Sequence, residues 1–192
     1  MRISSVQQGL IVEREFAKFL MMGSAGAIEL AAPMSDDERR DYEIHVRGQY
    51  GVGVACQVKS AATLQHMSKN VRYLNIFFDV RAERLVNSPF FWYFFAYLDL
   101  ELMGLADPTF LVPSTVFHKL AAPILRDGDG RFSMAASMDP KSRDRWSRYR
   151  VKALELGRAL LEINKDLKRA HAVPMPPKGV LSAPGVIFVG SR

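Results

Sequence analysis

The chain has little cysteine and no grouped histidine. Its single cysteine, Cys56, excludes an internal disulfide and any zinc site that needs several cysteines. The histidines are His45, His66, His118 and His171, and none has the spacing to another histidine or to the cysteine that metal ligands show. We therefore do not expect a metal centre built on histidine or cysteine.

A long hydrophobic run is also missing. The most apolar window, residues 89–105, is interrupted by Asp99 and Glu101 after about ten residues, which is too short to span a bilayer. Residues 1–16 carry charges and glutamines where a signal peptide would need an apolar run. We therefore expect a soluble, cytoplasmic protein that does not act on a membrane.

Acidic residues are the minority charge. There are 20 Asp and Glu residues against 26 Lys and Arg, which gives a net charge of +6 and a pI near 9.6. The excess favours a polyanionic partner such as nucleic acid, because neutralising phosphates releases their counterions. A merely basic surface would give the same totals.

The hydrophobic residues that are present suffice for one domain with a sizeable core. They make up 48% of the 192 residues and include 12 phenylalanines. Helical spacing predicts a helix over residues 6–22, ended by Gly23, and a short helix after Ser114 that Pro123 ends. The predicted strands cover residues 26–32, 41–47, 51–60, 72–80, 90–100 and 109–113. Residues 90–100 are apolar on both faces, as in a central strand covered on both sides.

The sequence after residue 125 differs in character. Asp139 and Pro140 resemble a helix start, and apolar residues then recur in alternating steps of three and four. These residues are Trp146, Tyr149, Ala153, Leu156, Leu160, Ile163 and Leu167. They predict a basic helix over residues 137–170, with ten basic and four acidic residues from Lys141 to Arg169. The stripe would pack on the core (residues 1–125) or on a partner subunit in a homodimer, and the basic face would be solvated or follow phosphates.

Two other segments carry polar or proline residues. Residues 126–131 include Asp127 and Asp129, but the terminal acidic ligand of a calcium loop is missing, so we expect a solvated turn. Residues 171–192 are rich in proline and are expected to form an extended tail, in which residues 186–189 would add an edge strand.

The segment from Asp41 to Lys59 alternates regularly enough to assign its pairing. An antiparallel hairpin with a loop at residues 48–50 places Tyr42 opposite Cys56 and buries the apolar, even-numbered residues. Cys56 is then a packed small hydrophobe rather than a nucleophile. The odd-numbered residues share the other face: Asp41, Glu43, His45, Gly53, Ala55, Gln57 and Lys59.

That face brings together a carboxylate, an amide oxygen and an ammonium group from Asp41, Gln57 and Lys59. Mg²⁺ prefers hard oxygen ligands, commonly one or two carboxylates with water and substrate phosphate, and Mn²⁺ often substitutes. The metal lowers the pKa of its bound water, and a neighbouring lysine can orient that water. Such a set would hydrolyse phosphodiesters. The same residues would also suit the polar side of a half-exposed hairpin.

On these residues the chain resembles the PD-(D/E)xK nuclease superfamily, whose fold is called restriction-endonuclease-like. It looks most like small bacterial members whose third motif reads QVKS. The family's motif acid falls on Asp41, and its E/Q-x-K triplet falls on residues 57–59. The Gly-x-x-x-Glu pattern of the family's N-terminal helix falls on Gly9 and Glu13. The resemblance extends over residues 6–115.

The resemblance implies an α/β fold with a mixed central sheet flanked by helices, and a Mg²⁺-dependent endonuclease acting on DNA. Asp41 and Glu13 would bind the metal through their carboxylates. Gln57 would add its amide oxygen and Val58 its carbonyl, and Lys59 would assist the attacking water. A role in defence, repair or mobile elements would follow by analogy alone.

The sequence departs from the family pattern in two ways. Gln57 takes the place of an acid, which removes one negative charge, and no proline precedes Asp41. Glu43 shares the face and is the reserve acid, and His45 would contact substrate or water. Two alternatives stay open: a non-catalytic nucleic-acid-binding module, suggested by Gln57, and an oligomeric interaction protein, suggested by the apolar stripe after residue 140.

Overall fold

The computed structural model describes residues 3–34, 39–68, 71–121, 124–126 and 129–170. Within these ranges the helices are α1 Ser5–Gly23, α2 Ser114–Ala121 and α3 Leu156–Ala170. The strands are β1 Ile28–Ala31, β2 Tyr42–Val46, β3 Gln49–Ala61, β4 Gln65–Ser68, β5 Val71–Arg81, β6 Phe91–Asp99, β7 Gly104–Pro113, β8 Ile124–Arg126, β9 Asp129–Ser137 and β10 Arg150–Val151. The protein therefore has the predicted α/β fold.

The strands form two sheets. The central sheet has the order β1-β2-β3-β6-β7-β10, and the second sheet has the order β4-β5-β9-β8. β3 and β6 are parallel, whereas the other neighbours in the central sheet are antiparallel, so the sheet is mixed as predicted. β4 and β5 lie in the connection that the parallel pair requires. β5 confirms the strand predicted at residues 72–80.

Each face of the central sheet packs on its own hydrophobic core. The first core lies against α1 and α3, and the second lies against the second sheet and α2. β6 contributes to both, with Phe94 and Leu98 in the first core and Tyr93 and Phe95 in the second. β6 is therefore the predicted central strand that is covered on both sides.

α1 is defined at its start by a capping box. The N–H of Gln7 donates to Ser4 Oγ at 3.2 Å, and the N–H of Ser4 donates to Gln7 Oε1 at 2.9 Å. Its buried residues lie on one face, which packs on the first core: Val12, Phe16, Ala17 and Leu20. The cap and this face fix how α1 lies along β3 and therefore where Glu13 stands.

The hairpin of β2 and β3 has the predicted register from the Tyr42–Cys56 pair to the His45–Gly53 pair. Five of the even-numbered side chains are buried, as predicted: Tyr42, Ile44, Val54, Cys56 and Val58. Val46 and Val52, near the turn, are only half-buried. The odd-numbered residues consequently share the opposite face of the sheet.

The loop of this hairpin is shorter than predicted. The turn consists of Arg47 and Gly48, and Val46 pairs with Gln49 rather than with Val52. Gly48 has a φ of +74°, a left-handed conformation that glycine adopts without a steric penalty. Because the tight turn returns the chain early, the register is irregular between His45 and Val46.

The predicted helix over residues 137–170 is wrong in its first half. α3 begins at Leu156, and the residues before it contain two 3-10 turns and β10, which pairs with β7. The carboxylate of Asp144 accepts hydrogen bonds from the N–H groups of Ser137 and Trp146, at 2.7 and 3.0 Å. Such side-chain to backbone bonds compete with helix formation, which explains the irregular segment.

The apolar stripe is divided between the two cores. Trp146 is fully buried in the second core, whereas Leu156, Leu160 and Leu167 are buried in the first core. Since α3 packs against α1 of the same chain, the stripe is not available for the predicted homodimer contact. A heptad spacing alone does not distinguish one helix from successive elements that each face the sheet.

Some predictions fall on other parts of the chain. Residues 171–192, with the predicted tail and edge strand, lie outside the described residues. In the predicted turn, Arg126 pairs with Asp129 across β8 and β9, while residues 127–128 lie outside the described ranges. None of the helices described here has the length and apolar character needed to cross a membrane.

Candidate active site

β3 extends beyond its neighbour β2. The pairing of the two strands ends at Tyr42 and Cys56, whereas β3 continues along β6 to Ala61. Asp41 adds one more backbone bond, because its N–H donates to the carbonyl oxygen of Cys56 at 2.9 Å. Beyond Cys56, side chains instead of β2 lie along this edge of β3.

Asp41 directs its carboxylate onto this edge of β3. Its Oδ2 accepts a hydrogen bond from the N–H of Val58 at 2.6 Å. The bond satisfies a backbone donor that β2 does not reach, and charge-assisted bonds of this kind are short and strong. The structure thus places the predicted motif acid directly beside the triplet of residues 57–59.

α1 contacts the same end of β3. The amide nitrogen of Gln8 donates to Ser60 Oγ at 2.9 Å, and the hydroxyl of Tyr42 donates to the backbone carbonyl of Glu13 at 3.3 Å. These two contacts hold Glu13 above the junction of β2 and β3. Their donors were not among the predicted site residues, because only the fold shows that α1 crosses here.

The charges of Glu13, Asp41 and Lys59 act on one another. The pKa of Glu13 is raised, first by burial and then by the negative charge of Asp41, while the positive charges of Lys59 and Arg14 oppose the shift. Two carboxyl groups and one ammonium group, distant in sequence, therefore lie within electrostatic reach at the end of β3. Perturbed acids of this kind are frequent at functional sites.

Gln57 and Lys59 project from the face of β3 that points to the second sheet. Gln57 is 4% exposed, although its side chain is polar. The Lys59 Nζ lies 5.8 Å from the ring centre of Phe78 on β5, within the range of a cation–π contact. The ring supports the lysine from the side of the second sheet.

Glu43 and His45 share this face but lie further down the hairpin. Glu43 forms an ion pair with Arg40 at 2.7 Å and lies 3.7 Å from His45 Nε2. The reserve acid is thus engaged by a neighbouring cation. In the part of the chain that the structure describes, no group of three or more His, Cys, Asp or Glu side chains is arranged to hold a metal ion.

The residues at the end of β3 are nevertheless of the kind that binds Mg²⁺. Asp41 and Glu13 would supply two carboxylates, and Gln57 and Val58 would supply an amide and a backbone oxygen. One or two carboxylates completed by water and substrate are the usual protein ligands of this ion. Burial and then the negative charge of Asp41 raise the pKa of Glu13, and a divalent cation would relieve the repulsion between the two carboxylates.

A cavity of about 290 Å³ opens beside this site. Its lining includes Arg40, Glu43 and His45. A Cβ on Gly53 would stand 2.6 Å from His45 Cε1, so glycine at position 53 leaves room for the imidazole ring. Phe90 completes the wall, and neither it nor Arg40 was predicted. The spacing of Arg40 three residues before Glu43 was the available signal for the arginine.

Cys56 confirms its predicted role in packing. Its side chain is fully buried in the first core. Burial, followed by the negative charge of Asp41, raises the pKa of the thiol well above its ordinary value. A thiol that resists ionisation is a poor nucleophile.

Comparison with solved structures finds a similar fold. The structure of a bacterial homing endonuclease, I-Ssp6803I, aligns with 88% of this chain and 99% of its own, with a TM-score of 0.52 and 20% sequence identity. At this identity the likeness shows a shared nuclease-like α/β fold. No family model matches the chain, and no curated protein matches it.

Proposed function

We propose that this protein is a metal-dependent nuclease of the PD-(D/E)xK type that hydrolyses phosphodiester bonds in DNA. The observation that carries the proposal is the meeting of Glu13, Asp41 and Lys59 beside Gln57 at the end of β3. The similar fold of a homing endonuclease supports it.

In this proposal Glu13, Asp41 and Gln57, with the Val58 carbonyl, would hold Mg²⁺ or Mn²⁺. When bound, the ion would supply a water of lowered pKa and neutralise charge that develops on the phosphate. Asp41 is positioned for this role by its hydrogen bond from Val58, which fixes the orientation of the carboxylate.

Lys59 orients the attacking water and stabilises the additional negative charge on the phosphorus centre. The contact of its Nζ with Phe78 restrains the long side chain, so less conformational freedom is lost when substrate binds. His45, at the wall of the neighbouring cavity, would contact the nucleotide beside the cleaved bond.

The test is cleavage of plasmid and linear DNA in the presence of Mg²⁺ or Mn²⁺. We expect Asp41→Ala and Lys59→Ala each to lower the cleavage rate by at least about 100-fold, the usual range for groups that act on the reacting atoms. Glu29→Ala removes a half-exposed acid on the edge strand β1 and should cleave like wild type. Cleavage that survives both site substitutions in folded protein would refute the proposal.

The competing function is a non-catalytic nucleic-acid-binding module. It is favoured by Gln57, since the amide brings one negative charge fewer to the metal than an acid would. DNA binding by wild type without cleavage, under every metal condition, would support this alternative. The argument for an oligomeric interaction protein rested on an available apolar stripe. It no longer holds, because the stripe is buried within the chain.

A further inference from the structure

The positive charge of the C-terminal region is concentrated before α3 and not along it. From residue 141 to residue 152 the chain carries six basic residues and one acidic residue: Lys141, Arg143, Arg145, Arg148, Arg150, Lys152 and Asp144. On α3, Lys165 pairs with Glu162 at 3.4 Å and Arg169 pairs with Asp166 at 3.8 Å. The helix that was expected to be the basic surface is thus partly neutralised by its own acids.

A pocket of about 500 Å³ lies within this basic segment, at the β10 edge of the central sheet. Its lining includes Lys141, Arg143, Arg150 and Lys152, with Glu155 as its acid. Glu155 lies 3.9 Å from Lys152, and both side chains are largely exposed, so this ion pair is weak. The pocket therefore carries a net positive charge.

Arg150 is the fixed cation of the pocket. Its guanidinium donates to the carbonyl oxygens of Ser142 at 2.7 Å and Ser137 at 3.1 Å, and lies 3.5 Å from Asp144. Its Nε is buried and has no hydrogen-bond partner among the described residues. The backbone around the pocket is thus held in place, while Lys141, Arg143 and Lys152 extend into solvent at its rim.

The pocket lies at the same level of the sheet as the candidate active site. Lys59 on β3 is paired with Phe95 on β6, which is paired with Phe110 on β7, which is paired with Arg150 on β10. Directly paired residues point to the same face. Three strand spacings of about 4.8 Å place the Cα atoms of Lys59 and Arg150 about 14 Å apart, across the buried Phe95 and Phe110. A DNA duplex that passes outside the sheet spans such a distance in a few base pairs, at about 3.4 Å per base pair.

We propose that this pocket binds a backbone phosphate of the nucleic acid whose cleaved phosphate lies at Lys59. The proposal rests on the proposed function for its substrate class and adds a second, non-catalytic contact. Lys141, Arg143 and Lys152 neutralise the phosphate and its neighbours at a place separate from the cleaved bond. The contact tightens binding and sets the register of the duplex, and it takes no part in the chemistry.

The test compares two triple variants of the full chain that lose the same charge. The pocket variant is Lys141→Gln, Arg143→Gln and Lys152→Gln, and the control is Arg158→Gln, Lys168→Gln and Arg169→Gln on α3. Binding to a duplex of about 20 base pairs is measured without metal, over about 50–200 mM salt. We expect the pocket variant to reduce the salt slope by about 0.9 for each phosphate that it no longer neutralises, and the control to change the slope less.

The outcomes separate this site from the catalytic one. With metal, the pocket variant should raise KM for cleavage and leave kcat unchanged. A selective loss of binding supports the pocket even if Asp41→Ala fails to affect cleavage.

Equal effects of both triple variants, no effect of either, or no DNA binding by wild type would overturn the proposed pocket. Inorganic phosphate that binds to wild type and not to the pocket variant, while both bind the duplex equally, would also overturn it, because the pocket would then be a site for the free ion. If the triple variant does not fold, Lys141→Gln and Arg143→Gln are measured singly.

Discussion

One row of paired residues crosses the central sheet from Lys59 on β3 to Arg150 on β10. The groups around its β3 end, called the acidic end, and around its β10 end, called the basic end, differ in net charge and in how they are held. At the β3 end, Glu13 and Asp41 come from different elements and meet at a junction closed by backbone hydrogen bonds. At the β10 end, the cations come from one short segment and stay exposed around Arg150. The acidic end requires the tertiary fold, whereas the basic end requires little more than its own segment.

The difference has an energetic meaning. Burial, followed by the negative charge of Asp41, raises the pKa of Glu13, so the ionised form of Glu13 is destabilised in the folded chain. Exposed cations at the β10 end incur little such cost, because solvent screens them. An arrangement that is unfavourable for folding is more often found where it serves binding or chemistry, which is consistent with the proposal that places the reaction at the β3 end.

The largest effect on this comparison should come from Gly157→Ala. A Cβ at Gly157 would stand 2.4 Å from the backbone of Gly23 and Ser24, where α3 meets the end of α1. Because backbone cannot move aside as a flexible side chain can, we expect a loss of about 1–3 kcal/mol in the free energy of unfolding. Denaturant unfolding measures this loss.

Gly9→Ala is the matched control in α1. Its added Cβ would lie 3.9 Å from the nearest atom, a carboxylate oxygen of Glu13, so it meets no obstacle. Replacing a helical glycine without a clash should stabilise the protein by about 0.5–1 kcal/mol. Equal stability of the two variants would show that α3 does not hold α1 as closely as the structure indicates.

A smaller effect is expected from Gln57→Glu, which adds a third carboxylate at the acidic end. Metal affinity should rise by at least about tenfold, or about 1.4 kcal/mol, because Mg²⁺ then faces one more negative ligand. Without metal the melting temperature should fall, because the new charge is buried beside Asp41. Mn²⁺ titration calorimetry and thermal melts measure the two changes.

Gln49→Glu adds the same charge at the exposed start of β3 and should change neither quantity. If Gln57→Glu also left metal affinity unchanged, Gln57 would not lie in the metal's coordination sphere, and the assignment of the amide oxygen as a ligand would be wrong.

The sequence predicted the acidic end better than the basic one, for a physical reason. Alternation in β2 and β3 has a period of two and one buried face, so the pairs from Tyr42–Cys56 to His45–Gly53 followed directly. Glu13 came from the family resemblance. The contacts of Gln8 and Tyr42 that hold it depend on how α1 crosses the sheet, which no local pattern encodes.

The sequence misplaced the basic end because one continuous helix and a series of short elements can show the same spacing of apolar residues. Trp146 and Leu156 fit a single heptad, yet they are buried in different cores. The signal against a continuous helix was present in Asp144, whose side chain bonds the nearby backbone at Ser137 and Trp146. Aspartate side chains favour such local backbone bonds over helix.

The smallest effect is the pH dependence of Glu13→Gln, measured in EDTA. The pKa of Glu13 is raised in the folded state, so folding favours its protonated form. Wild type therefore loses stability as the pH rises from the ordinary glutamate value, near 4.3, through the raised one. Glutamine avoids this loss, and the variant should be more stable at pH 7 and equal below about pH 4.

The gain should stay under about 1 kcal/mol, a rise of no more than about 2–4 °C in Tm, because Glu13 is only half-buried and solvent screens its charge. Glu15→Gln is the control, since it removes a carboxylate of the same helix that pairs with Lys18 at 2.6 Å, and it should give no gain at pH 7. A stabilisation by Glu15→Gln as large as that by Glu13→Gln would assign the effect to the helix as a whole. A gain for Glu13→Gln alone, vanishing in acid, would show that Asp41 and burial disfavour the Glu13 carboxylate at the acidic end of the row.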